Sequence, residues 1–200
     1  MHDEALTRIT GGEDRRPIHA VATRDLPRLE GGLRIPTLAE ALDVCAGRVV
    51  NVELKADLGL RFGKRALRVT APLPRRLALV RAATRVVARA RNVEVVFSSF
   101  DPMVVGALAG IASKMPRAML VGKGTPRLAV ALPLALRRTI VAAHLEDSII
   151  RKDRVDRLKK SGLRVVAWTV NDATRAATLT EMGVEWLITD RPKTLVEHLR

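Results

Sequence analysis

Short, apolar, β-branched runs alternate with longer amphipathic runs along most of this 200-residue chain. That alternation limits the possible folds more than any other feature. Strands are expected at Val49–Lys55, Val93–Phe100, Ala118–Val121, Thr139–His144, Arg164–Val170 and Trp186–Thr189. Helices are expected at Thr37–Ala46, Leu73–Arg91, Pro102–Ser113, Pro126–Arg137, Arg151–Ser161, Ala173–Met182 and Pro192–Leu199. Helix boundaries are written into the residues. Thr37 and Glu40 have capping-box spacing. Asp101-Pro102 and Thr125-Pro126 put a cap residue before Pro at the first helical position. Gly162 and Gly183 follow helices where a left-handed cap is wanted. Strand–helix alternation with continuously apolar strands predicts an α/β fold, with a parallel sheet covered by helices. A doubly wound sheet and a (β/α)8 barrel both fit this pattern, although the strands number six where a closed barrel has eight.

Polar residues recur where these strands end. They are Glu53 and Lys55, Ser98 and Ser99, His144, Trp168 with Asn171, and Asp190. In Asn51-Val52-Glu53-Leu54-Lys55, strand alternation puts Asn51, Glu53 and Lys55 on one face and Val50, Val52 and Leu54 on the other. A carboxylate and an ammonium ending an apolar strand must meet each other, a metal or a charged ligand. Taken alone, the pair reads as a structural ion pair. Several strands giving polar groups at their C-terminal ends is how a barrel builds a site.

Other chemistries are excluded or weakened. There is no GxGxxG or Walker loop; Val121-Gly122-Lys123-Gly124-Thr125 lacks the spacing and reads as a strand-to-helix loop. No Cys/His spacing suggests zinc, and Cys45 is the only cysteine. The formal charge of +14 would attract anions. However, aromatics are only 2% with no Tyr, which leaves little for base stacking, so no dedicated nucleic-acid site is expected. No apolar run reaches the roughly 20 residues of a membrane span. The opening residues do not resemble a signal peptide, so a cytoplasmic location is expected.

The polar ends form an ordered series. It begins with His2-Asp3-Glu4-Ala5-Leu6-Thr7-Arg8-Ile9-Thr10-Gly11-Gly12, then Ile35-Pro36-Thr37-Leu38-Ala39-Glu40-Ala41-Leu42 and Asn51-Val52-Glu53-Leu54-Lys55. Ser98-Ser99-Phe100-Asp101-Pro102, Trp168-Thr169-Val170-Asn171-Asp172 and Ile188-Thr189-Asp190-Arg191-Pro192 complete it. Each motif alone is weak, but in this order they resemble the glycerophosphodiester phosphodiesterase family.

The resemblance implies a TIM (β/α)8 barrel and a hydrolase of lipid metabolism. Such an enzyme splits small-molecule glycerophosphodiesters into glycerol 3-phosphate and an alcohol with a divalent metal, Mg²⁺ or Ca²⁺. By this resemblance His2 is a general acid/base, Glu53 a metal ligand, Lys55 a catalytic and substrate-binding residue at the phosphate, and Trp168 a wall of the substrate pocket. A histidine suits the first role because its pKa lies near working pH, and carboxylate oxygens suit a hard cation.

The family's barrel begins before the His-Asp motif. It starts with a strand ending in His-Arg-Gly and a second carrying Glu-x-Asp, and these motifs are absent here. The expectation is therefore one partial domain over residues 1–200, a barrel lacking its first two strands, with the metal held only if the missing ligands are supplied. Activity of this chain is expected to be impaired. The alternatives are a catalytically inactive anion-binding or scaffold relative, or a basic nucleic-acid-binding protein. A related barrel phospholipase is a nearer neighbour, but the Asn-Val-Glu-Leu-Lys and Trp-Thr-Val-Asn motifs favour the first family.

Overall fold

A computed structural model describes residues 5–56, 71–125 and 139–199. The helix expected at 126–137 and the position of His2 lie outside the described residues. Two compact units are distinguished: residues 1–50 with 56–94, and residues 51–55 with 95–200.

The first unit contains two α-helices among the described residues, α1 (Leu38–Val44) and α2 (Leu73–Val87). α1 starts at the capping box: Glu40 N–H donates to Thr37 Oγ1 at 3.3 Å, and Thr37 N–H donates to Glu40 Oε2 at 2.8 Å. Arg34 adds an ion pair to the same carboxylate. That guanidinium, together with the Thr37 donors, holds Glu40 down at a pKa of about 2. α2 buries Val80, Ala83 and Thr84 and turns Arg75, Arg81 and Arg85 to solvent. The three buried positions recur at helical spacing, so the apolar stripe fixes which face packs inward. Sequence positions 58–93 hold ten Lys and Arg and no Asp or Glu. Much of the net charge is thus concentrated there, less scattered than the composition suggested.

The second unit holds the sheet. The strands are β1 (Val49–Glu53), β2 (Glu94–Ser99), β3 (Arg117–Val121), β4 (Ala142–Glu146), β5 (Arg164–Trp168) and β6 (Trp186–Leu187). They lie side by side in sequence order, β1 to β6, without reversal. Each neighbouring pair from β2 to β6 runs parallel. A doubly wound sheet reverses its order at a switch point, whereas a (β/α)8 barrel does not. The consecutive order therefore decides between the two folds in favour of the barrel type, with six of its strands described. Four helices follow strands here: α3 (Pro102–Ile111), α4 (Lys152–Lys160), α5 (Ala173–Glu181) and α6 (Pro192–Leu199). Asp101 caps α3 by accepting from Met103 N–H at 2.8 Å, with Pro102 opening the helix. Gly162, after α4, has φ +78°, a conformation that favours glycine.

Pairing register sorts the strand residues into two faces. Ser98, Ala118, Ala142 and Arg164 form one row. Leu120, His144, Val166 and Trp186 form a second row on the same face two residues further along. The opposite face carries Met119, Val121, Ala143, Leu145, Val165 and Ala167, packed with helix residues Val105, Val155, Ala176, Leu179 and Leu195. Each fully buried Leu or Val in that layer contributes about 1.5–3 kcal/mol. The helix-facing side is therefore the greasy one, and the other side carries the chemistry. Among the described residues no helix is long and apolar enough to cross a membrane.

The other strands keep within two residues of the expected bounds at each end, and β4 departs most: the sequence predicts Thr139–His144, and the strand runs Ala142–Glu146. Thr139, Ile140 and Val141 have the better strand propensity, but pairing with β3 and β5 starts at Ala142. Packing between two neighbours outweighs local preference.

Candidate active site

The C-terminal edge of the sheet gathers polar and aromatic groups on one face. β1 joins β2 there: Leu54 N–H donates to Ser98 O at 2.8 Å, which sets Glu53 beside Ser98 and so on the chemistry-bearing face. Lys55, two residues on, keeps to that side. Its Nζ lies 3.9 Å from Glu53 Oε1, with side chains 38% and 31% exposed. A pair that long and that wet contributes about 0–1 kcal/mol. Both side chains are thus within reach of a ligand, and neither is committed to a tight mutual contact.

Ser99 secures this corner. Its hydroxyl donates to Leu54 O at 2.8 Å and accepts from Asp101 N–H at 3.1 Å. Both its bonds serve the backbone, so it is a brace. Ser98 is fully buried, and its Oγ has no hydrogen-bond partner among the described residues.

Trp168 ends β5 and meets Phe100 edge to face, with ring centroids 5.4 Å apart and planes at 89°. Its indole N–H donates to His144 O at 3.0 Å, which fixes the ring's direction. Glu146 ends β4 opposite Trp168 in register. Its Oε1 accepts from Ser148 Oγ at 2.6 Å and its Oε2 from Lys123 N–H at 2.7 Å. The Ser148 bond, then the Lys123 amide, holds this carboxyl below its ordinary pKa. Gly122 lies beneath both: a Cβ there would stand 2.9 Å from Glu146 Oε2 and 3.5 Å from Trp168 Cη2. The Gly122 turn is closed by its N–H on Thr125 Oγ1 at 2.8 Å. Asn171 and Asp190 brace the next edge: Asn171 Nδ2 donates to Asp190 Oδ2 at 3.0 Å, while Asn171 Oδ1 accepts from Thr189 Oγ1 at 2.9 Å.

His144, expected at a strand end, sits inside β4 and is 3% exposed. Burial pushes its pKa down to about 4. It lines a small cavity of about 30 Å³ with Arg164, Glu185 and Trp186, which lie at the opposite, N-terminal edge of β5 and β6. It is therefore not part of the C-terminal cluster.

Sequence reasoning passed over Glu146 and the contact between Phe100 and Trp168. For Glu146 a signal was present: His144 and Glu146 are two apart, as Glu53 and Lys55 are. The misplaced end of β4 hid it.

The metal fit can be tested on the donor set. Glu53 is one carboxylate with an ammonium nearby. Among the described residues no group of three or more His, Cys, Asp or Glu could hold a metal ion. Mg²⁺ and Ca²⁺ take about six or more oxygen ligands. The described residues alone do not make such a site.

The sequence profile of the glycerophosphoryl diester phosphodiesterase family matches residues 1–194. This chain belongs to that family. Similar proteins agree. The glycerophosphodiester phosphodiesterase of Caldanaerobacter subterraneus subsp. tengcongensis is 25% identical over 213 residues, covering 100% of this chain and 79% of the relative. A phosphodiesterase from Oleispira antarctica, solved with the product sn-glycerol 3-phosphate, superposes with a TM-score of 0.80 at 22% identity, covering 100% of this chain and 78% of that one. A glycerophosphodiester phosphodiesterase from Parabacteroides distasonis gives a TM-score of 0.68 at 18% identity, covering 100% and 76%. The solved structures carry the fold, and the profile carries the family.

Proposed function

We propose that this glycerophosphodiester phosphodiesterase family member binds glycerophosphodiesters at the C-terminal edge of its sheet and is built to release glycerol 3-phosphate and an alcohol. The observation that carries the reading is the Glu53–Lys55 pair, on the chemistry-bearing face at the strand end, in a chain whose family profile runs from residue 1 to 194. Lys55 receives the diester phosphate, where an ammonium offsets both its resting charge and the charge that builds in the transition state. Trp168 walls the pocket and packs on the glycerol or alcohol carbons. His2 carries the acid/base role: water forms the new P–O bond, the bond to the alcohol oxygen breaks, and a proton must reach that oxygen as it leaves.

In this reading Glu53 is one ligand of a divalent cation, which would stabilise negative charge at phosphorus when bound. One carboxylate does not hold such an ion, so the remaining oxygens must come from groups beyond the described residues. We expect release of glycerol 3-phosphate by this chain to be impaired while the product is still bound. The test is calorimetric titration of the purified chain with sn-glycerol 3-phosphate. Lys55→Ala should weaken binding roughly tenfold, in the range of a lost charged hydrogen bond. Equal affinity of wild type and variant overturns the reading. Rapid metal-dependent release of glycerol 3-phosphate from glycerophosphocholine overturns the expected impairment alone.

A further inference from the structure

One face of α2 is a row of arginines. Arg75, Arg81 and Arg85 are exposed and, at about 100° per residue, fall within an arc of roughly 120°. Pro74, Ala78 and Ala82, also exposed, fill the rest of that arc and are too short to keep a flat partner off the guanidiniums. Val80, Ala83 and Thr84 are buried on the other side of the helix, so the packed and the cationic faces do not mix. Arg89 and Arg91 extend the exposed charge into the turn beyond the helix.

Nothing on this helix offsets the charge. Its first turn holds no acid. Arg75 Nη2 donates to His19 O at 3.3 Å and Arg85 Nε to Arg81 O at 3.1 Å, both uncharged acceptors. Among the described residues no carboxylate pairs with Arg75, Arg81 or Arg85. α4 is the contrast: it is also rich in basic residues, but Lys152 pairs with Asp156 and Arg157 with Asp153, each one helical turn away. The arrangement on α2 works against the helix itself. Arg81 and Arg85 are like charges four residues apart, and Arg75 sits at the positive end of the helix dipole. An anionic surface laid along the row removes both penalties and adds its own attraction.

We propose that this arginine face docks the chain on a bilayer containing anionic phospholipid. A polynucleotide would also meet the charge, but between its arginines the arc has only Ala and Pro, with no amide, hydroxyl or aromatic group to read or stack a base. A plane of lipid phosphates asks only for charge and close approach. The choice of a bilayer also rests on the proposed function. A glycerophosphodiester is a phospholipid without its acyl chains, so the reaction that supplies it is ester hydrolysis at a bilayer. Docking there places the chain where its substrate is made.

The experiment is co-sedimentation of the full chain with vesicles of phosphatidylcholine, alone or mixed with phosphatidylglycerol. Binding is expected only to the mixed vesicles and should fall steeply with added NaCl. Arg81→Gln with Arg85→Gln, which keeps helix propensity, should weaken it roughly 10- to 30-fold, since each basic side chain near an anionic leaflet is worth about fivefold. Lys152→Gln with Arg157→Gln removes the same charge from α4 and should change binding less than about threefold. Equal loss in the two double variants means that net charge alone acts and overturns the inference, as does equal binding to both vesicle types. Tighter binding to duplex DNA than to mixed vesicles at equal phosphate concentration, through Arg81 and Arg85, overturns the bilayer as occupant. Arginine-dependent vesicle binding by a chain that does not bind glycerol 3-phosphate keeps the docking face and removes the proposed function. Lys55-dependent binding of glycerol 3-phosphate without vesicle binding does the reverse.

Discussion

Acid sensitivity should trace to His144. Its imidazole is 3% exposed within β4, and burial lowers its pKa from 6.5 to about 4. Its Nδ1 has no hydrogen-bond partner among the described residues. Arg164 and Glu185 line the same cavity and pair with each other at 3.8 Å. The folded-state pKa is below the unfolded one, so the unfolded chain takes up the proton first as pH falls. Stability is thus full above about pH 6.5 and is lost progressively down to about pH 4. A drop from 6.5 to about 4 corresponds to about 3 kcal/mol, of which about 2 is gone by pH 5. Most carboxylates titrate below about pH 5, so the window above it isolates histidine. The measurement is urea unfolding of wild type and His144→Leu at several pH values from 7.5 to 5. The variant removes the proton site and places a similar apolar volume against Val96 and Val166. Wild type should lose about 2 kcal/mol more than the variant between pH 7 and 5. Parallel curves would refute the claim that His144 is held neutral by burial.

Four further outcomes follow from particular contacts. Gly122→Ala should press on the Glu146 carboxylate and cost about 1–2 kcal/mol by thermal unfolding, since that group is pinned by two hydrogen bonds. Trp168→Phe removes the indole bond to His144 O and should cost about 1 kcal/mol on the same assay. Asp101→Ala removes the α3 cap and should also cost about 1 kcal/mol, whereas Asp101→Asn should recover most of it. Any DNA binding by the basic stretch should weaken steeply with added salt and be unaffected by Glu53→Gln in a filter-binding assay; dependence on Glu53 would contradict a purely electrostatic attachment.

The fold was legible because it is encoded twice, in periodicity and in punctuation. Thr37, Asp101, Gly162 and Gly183 mark helix ends that the structure places within a residue or two of expectation. The strict order of the strands was not legible, because strand neighbours are chosen by long-range pairing. β4 shows the same limit on a smaller scale: Thr139-Ile140-Val141 looks like a strand by itself and Ala142-Ala143 does not, yet pairing with β3 and β5 selects the latter. The Glu53–Lys55 pair could be found from alternation alone, since both residues follow an unmistakable Val-Val run. Glu146 could not be found that way once the end of its strand was misplaced. The meeting of Phe100 and Trp168 joins strands far apart in sequence, and no local spacing announces it.

The most direct test is to see where the ligand sits. Amide and indole chemical-shift mapping with sn-glycerol 3-phosphate reports this without requiring turnover. Perturbations should concentrate at Glu53, Leu54 and Lys55, at Phe100, at Gly122 and Lys123, and at the Trp168 indole. Shifts centred instead on the α2 arginines, or on Trp186 at the other edge of the sheet, would contradict the account.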